Sequence, residues 1–141
     1  MSAEGTLVEI PREQCLQLLR ASFVGRVAVA VPGSAPLVVP VNFVVDGEIV
    51  VFRSDEGSKI DALRVGPISF QADFVDPVHR TGWSVLVQGV AYEATPWEVE
   101  HIGLESWVSG AKAHWVRIVP ATITGRRINP AESAVDLRGY L

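Results

Sequence analysis

Two cations and two hydroxyls fall within the seven positions Arg53-Ser54-Asp55-Glu56-Gly57-Ser58-Lys59. Those residue types suit an anion. Arginine offers a planar fork of N–H donors and lysine a compact point charge. Ser54 and Ser58 can each donate a hydroxyl, and Gly57 lets a ligand approach the backbone closely. A phosphomonoester carries about −1.5 to −2 charges near neutral pH, which two cations would balance. The same residues also suit a solvated turn in which Ser58 does no more than cap a helix. Spacing alone leaves both readings open.

The flanks say what would position these side chains. "EIVVFR" before them reads as a strand, and "SKIDALRV" after them as a short helix with Ile60 and Leu63 three apart. Backbone N–H groups at a helix start lack intrahelical partners, and the helix dipole adds positive potential there. A strand-loop-helix corner of this kind is a ready place for a phosphate. Asp55 and Glu56 are expected to point to solvent.

The remaining chain supplies the frame. "PREQCLQLLR" predicts a helix over 11–20, with Pro11 at its first position, Glu13 in its first turn and an apolar face of Cys15, Leu16 and Leu19. "FVGRVAVAV" and "PLVVPVNFVV" read as strands, and Pro40 within the second implies an edge or a bulge. Asp46-Gly47 predicts a hairpin into "EIVVFR". "PISFQADFVD" and "WSVLVQGVAYEA" are the next strands, with Gly89 marking a bulge or bend. Thr95, Pro96 and Glu98 form a capping box at the start of a helix running to about Ser109. "HWVRIVPATITGRRI" predicts one broken strand or two short ones, interrupted near Pro120, and 129–141 a surface tail. The sum is about six strands, mostly hairpin-linked, with three short helices: a small antiparallel barrel rather than a doubly wound parallel sheet.

Totals narrow the function. A chain of 141 residues suggests one domain over 1–141, with enough surface to bury for a core. The net charge of −4 argues against nucleic acid or an anionic membrane as partner, though not against a local cationic pocket. One cysteine, Cys15, permits neither an intrachain disulfide nor a thiolate metal cluster. No signal peptide or membrane span is visible, and a cytoplasmic setting is expected.

Other chemistry-bearing residues read as structural. His79, His101 and His114 are scattered without metal-ligand spacing, so no metal site is expected. His79 is read as a loop residue and His114 as a strand-end surface residue. Gly33-Ser34 lacks the pattern of a nucleophile elbow. Asp73 and Asp76 are read as solvated strand ends and Cys15 as core. Of the four tryptophans, Trp97 and Trp107 are assigned to core or dimer packing. Trp83 and Trp115, on strands, are open to either packing or ligand contact.

The order of these motifs resembles the pyridoxamine-phosphate-oxidase-like family of split-barrel flavin-binding proteins. The resembling pieces are "RVAVAV", "PLVVPVNFVVDGEIVVFRSDEGSKIDAL", "GWSVLVQGVAYE" and "HWVRIVPATITGRRI", which together span Gly25 to Ile128. The resemblance implies a mainly β fold, a six-stranded antiparallel split barrel, in a homodimer that holds FMN at its interface. It implies that Phe52, Arg53, Ser54, Ser58 and Lys59 form the corner for the ribityl phosphate. Pro40, Val41 and Asn42 would lie along the isoalloxazine ring. Ser84 would stand near the flavin, with Trp83 and Trp115 at the ring or substrate face, partly across the dimer, and Arg126 reaching in from the partner chain.

Departures from the family's pattern bear on the substrate. The Arg-Lys pair that follows the serine in the true oxidase is replaced here by Ser58-Lys59 in a shorter loop, and "TITGRRINPAESAVDLRGYL" does not match its C-terminal substrate motif. The resemblance therefore supports the cofactor rather than pyridoxamine-phosphate oxidation. It implies an FMN-dependent oxidoreductase of unassigned substrate, with no residue standing out as catalytic acid or base. The alternatives are a deazaflavin-dependent reductase, which the Val-, Ala- and Gly-rich, actinobacterial-type composition favours, and a binding module for flavin, deazaflavin or haem without turnover.

Overall fold

The computed structural model describes residues 4–54, 65–104 and 114–130. The expected helix over "SKIDALRV", its loop with Ser58 and Lys59, Trp107 and the tail beyond 130 lie outside the described residues.

Along the chain run β1 (Thr6–Ile10), α1 (Arg12–Arg20), β2 (Val24–Val29), β3 (Leu37–Asp46), β4 (Ile49–Ser54), β5 (Gly66–Asp76), β6 (Thr81–Glu93), α2 (Pro96–Val99) and β7 (His114–Asn129). All ladders are antiparallel, in the order β1-β7-β4-β3-β2-β5-β6, and β6 pairs back onto β7. Six strands thus close a ring, and β1 stands outside it as a seventh. The split falls along one side of β7. There β4 pairs with its first part (Ser54↔His114 to Val50↔Ile118) and β1 with its last (Ile10↔Gly125 to Thr6↔Asn129).

Alternation along each strand sends one set of side chains inward. Val27, Val29, Phe43, Val50, Phe52, Phe70, Ala72, Val85, Val87, Val116 and Ile118 form the core, with Phe43 and Phe70 edge to face at 4.7 Å. Helix α1 joins this core through Cys15, Leu16 and Leu19, the apolar face read from the sequence. Pro11 sits one position earlier than expected, as the N-cap.

Three local features decide what faces outward. Gly47 takes the left-handed conformation (φ +64) that the β3–β4 hairpin requires. Strand β3 pairs with β2 only over Leu37–Asn42 and with β4 only over Phe43–Asp46. Pro40 therefore lies on a half-strand with one unladdered side among the described residues, where its missing N–H costs nothing. At Gly89 the β6–β7 register slips: Gly89 opposes Pro120, while Gln88 opposes Thr122. A Cβ on Gly89 would meet the Val119 carbonyl at 2.0 Å, so only glycine fits there.

Several expectations change. Pro120 does not interrupt β7, which runs unbroken for 16 residues because the proline sits at the bulge. Helix α2 is a single turn ending at Val99, and residues 102–104 are not helical. Strand β1 was not legible as one. Trp97 is 79% exposed and belongs to no core among the described residues.

Candidate functional site

Strand β4 ends with Arg53 and Ser54, which face opposite sides of the sheet. Arg53 opposes Trp115 across the β4–β7 ladder, and its guanidinium carbon stands 4.9 Å from the indole ring centre. That contact orients the guanidinium at the strand end and holds positive charge over an aromatic face. Extending the β3–β4 register by one step places Asn42 beside Arg53, on the same outer face as Pro40. The Asn42 amide donates to the Phe23 carbonyl at 3.3 Å, which fixes its carboxamide at the β2 entry. Phe23 and Val38 are exposed nearby. The outer surface from Val38 to Trp115 thus offers apolar area edged by the Asn42 amide and the Arg53 guanidinium, with Arg26 of β2 opposite Pro40.

The inner side of the same strand end differs. Ser54 is buried and opposes His114. His114 Nδ1 bonds to the Glu93 carboxylate at the end of β6. His114 is therefore a half-buried, paired residue rather than a surface one. Val41 and Phe52 point inward: Phe52 lies in the core and Val41 packs against it, so neither side chain faces a ligand on the outer surface.

Ser84 and Arg126 form a second group at the far end of β7, while Trp83, next to Ser84 on β6, packs against the core and borders the same hollow. Ser84 is laddered to both Asp73 and Arg126. With Leu7, Phe74, Val75, Thr81, Gly82 and Ile128, these residues line an open concavity of about 320 Å³. Asp73 is compensated by Arg26, whose Nη1 donates to Asp73 Oδ1 at 3.0 Å. Arg126 has no hydrogen bond or ion pair among the described residues, and the exposed Glu9 on β1 is its cross-strand neighbour. The bulge puts Arg126 there. Val116 and Ile118 point inward, but the extra residue Ala121, between Pro120 and Thr122, reverses the alternation, so Ile123 turns in and Arg126 turns out.

The predicted residues therefore fall into two groups, Pro40, Asn42, Arg53 and Trp115 in one and Trp83, Ser84 and Arg126 in the other. Trp115 and Arg126 are separated by roughly 35 Å of strand contour. Ser58 and Lys59 lie outside the described residues. Sequence reading missed the Glu93–His114 pair, because the two meet only through the β6–β7 ladder.

A third polar cluster is structural. Arg117, on the outer face beside α2, lies 3.8 Å from Asp46 and 4.0 Å from Glu98, and its guanidinium stands 5.9 Å from the Tyr92 ring centre. Glu98 closes the capping box predicted at Thr95: its carboxylate accepts from the Thr95 N–H at 3.0 Å, and its own N–H donates to Thr95 Oγ1 at 3.4 Å. The backbone bond from Thr95, partly opposed by desolvation, holds the Glu98 carboxyl below the usual glutamate value.

A closed six-stranded antiparallel barrel with a split beside its longest strand defines the split-barrel class. The sequence profile of the pyridoxamine 5'-phosphate oxidase family matches residues 11–127, and the chain belongs to this family. An uncharacterized protein of Mycobacterium tuberculosis is 37% identical over 132 residues, covering 86% of each chain. The solved FAD-binding protein from Mycobacterium smegmatis is 32% identical with a TM-score of 0.72, covering 86% of this chain and 98% of that one. A FAD-binding protein from Mesorhizobium loti, 24% identical, has the same fold with a TM-score of 0.71, covering 89% of this chain and 98% of that one.

Proposed function

We propose that this chain is a cytoplasmic, single-domain flavin-nucleotide oxidoreductase that works as a homodimer and binds FMN. The phosphate lies at the Arg53 corner, with Ser58 and Lys59 completing it from the adjoining loop. The ring lies along Pro40 and Asn42, with Trp115 beside it. The Trp83–Ser84–Arg126 concavity of a second copy closes the far side.

The observation that carries this reading is the division of the site. One group has an oriented cation beside an exposed apolar face, the other a largely apolar hollow with an arginine on its wall. Arg126 and the Arg53 corner lie far apart along β7, at the two ends of its ladders with β4 and β6. A two-fold dimer pairs one end of each chain with the other end of its partner and completes two equal sites.

Bound there, the flavin supplies electron and hydride transfer, and the chain's own residues bind, orient and exclude water. Arg126, in an apolar wall, places positive charge where negative charge on a reduced ring would be stabilised. The substrate differs from pyridoxamine phosphate in this reading, because the C-terminal sequence departs from the family's substrate motif.

FAD is the second reading, favoured by the relative from Mycobacterium smegmatis, which is named for it. FAD carries the same ribityl phosphate within a diphosphate, so the corner serves both. Chromatography of the chromophore released from protein purified from its own host decides: FMN is expected. FAD or a deazaflavin would replace the cofactor assignment. A colourless protein that binds no flavin on titration would overturn the function.

A further inference from the structure

Strands β1, β7, β6 and β5 lie side by side at the far end of β7, and their outward residues stand in two cross-strand rows. Glu9, Arg126, Ser84 and Asp73 form one row, and Leu7, Ile128, Gly82 and Val75 the next. The second row has no side chain at Gly82, where a Cβ would meet the Phe74 carbonyl oxygen at 2.5 Å. Ile128 and Val75 therefore stand on either side of a gap floored by backbone. The gap belongs to the concavity of about 320 Å³. That size falls at the lower end of the roughly 300–1,000 Å³ usual for small-molecule sites. Its apolar walls, Leu7, Phe74, Val75 and Ile128, are exposed, so the described residues leave the hollow open.

The row beside the gap supplies the polar groups. Asp73 is held by Arg26 at 3.0 Å. The Ser84 hydroxyl and the Arg126 guanidinium line the hollow with no hydrogen bond among the described residues. The exposed Glu9 opposes Arg126 without forming an ion pair with it, and a solvated cross-strand pair of this kind is weak. A carboxylate seated against the apolar walls sheds part of its water and gains a stronger, forked contact with the guanidinium. On the reading that this hollow closes the flavin site of a partner copy, we infer that it is the substrate pocket and that the substrate is a compact apolar ring compound bearing one carboxylate. The ring lies in the gap at Gly82, between Ile128 and Val75. The carboxylate takes the Arg126 fork, and the Ser84 hydroxyl donates to it. One guanidinium matches a monoanion, whereas a phosphate ester, with about −1.5 to −2 charges, is left under-compensated.

The probes are 1-naphthoate and its neutral amide, 1-naphthamide, titrated calorimetrically at neutral pH into the protein before and after loading with FMN. The wild type should bind the carboxylate at least about tenfold more tightly than the amide. Arg126→Met should abolish that preference and bind the amide as the wild type does, which also shows that the hollow is intact. Glu9→Gln, which removes the competing carboxylate, should bind naphthoate as tightly as the wild type or more so. The inference is overturned if the wild type binds neither probe or both equally, if the preference survives Arg126→Met, if that variant loses both probes alike, or if Glu9→Gln weakens naphthoate. Loading with FMN should leave the naphthoate preference in place. Competition between FMN and naphthoate would make the hollow the flavin's own seat, which overturns the substrate role and leaves the flavin reading standing. A protein that binds no FMN overturns the flavin reading, and the substrate role with it, whatever the probes show.

Discussion

Arg53 and Trp115 are cross-strand partners, with the guanidinium carbon 4.9 Å from the indole ring centre. An arginine at a strand end would otherwise sample many rotamers, and ordering a long side chain costs up to about 2 kcal/mol. The indole removes much of that cost before a ligand arrives. Truncating Trp115 to alanine should therefore weaken FMN by several-fold to about thirtyfold, the range expected for a cation–π contact of roughly 0.5–2 kcal/mol. Trp115→Phe should retain most of the affinity. Fluorescence titration with FMN measures both, and equal losses in the two variants would contradict this role.

The two-part site makes a prediction about mixing. Arg53→Ala and Arg126→Ala should each lower flavin affinity in both sites of their own homodimers. In a mixed dimer one site carries both substitutions and the other carries neither. Unfolding and refolding the two variants together at equal amounts should restore about a quarter of the native sites. No recovery would mean that Arg53 and Arg126 do not act on the same ligand from different chains.

Gly125 on β7 packs against Cys15 on α1. A methyl group on Gly125 would lie 2.6 Å from Cys15 Sγ and 3.3 Å from Ile10 Cβ. Gly125→Ala should destabilise the chain by about 1–3 kcal/mol through overpacking. Adding Cys15→Ala should recover part of the loss, so that the double variant is more stable than the sum of the single effects implies. Urea unfolding of the four proteins measures the coupling, and strict additivity would contradict the packing described. Burial also pushes the Cys15 thiol up from its ordinary value, so the native protein should resist alkylation at neutral pH.

Much of this architecture is legible in the sequence because single residues carry the signal. Asp46-Gly47 names a hairpin, Thr95 and Glu98 name a helix start, and Gly89 names a bulge. Strand β1 is not legible because Thr6–Ile10 is five residues long, has no turn signature and pairs only with the last part of β7. Pro120 misleads because a proline in a strand reads as an interruption until the bulge opposite it is known. For the site, residue types pointed to Arg53, Trp83, Trp115 and Arg126, but facing is a property of register. Val41 turns inward while Pro40 turns outward, and one extra residue, Ala121 after Pro120, decides that Arg126 faces out. The Glu93–His114 pair has no sequence signature, since it exists only where two ladders meet.

The capping box on α2 has a pH dependence with a definite sign. The Glu98 carboxyl is held below its reference of 4.5, first by the Thr95 backbone N–H. A carboxyl depressed on folding contributes stability above its unfolded value and loses it as pH falls through the folded value. The melting temperature of Glu98→Ala should therefore lie a few degrees below that of the wild type at neutral pH, with the gap closing below about pH 4.5. A gap that stays constant down to pH 3 would contradict the role given to the ionised carboxylate.

The central claim is that the Arg53 corner holds the phosphate of a flavin. The direct measurement is the pair of dissociation constants for FMN and riboflavin in the wild type and in Arg53→Ala. The wild type should prefer FMN, and Arg53→Ala should weaken FMN by about tenfold or more while changing riboflavin little. Equal losses for both ligands, or a wild type that does not distinguish them, would contradict it.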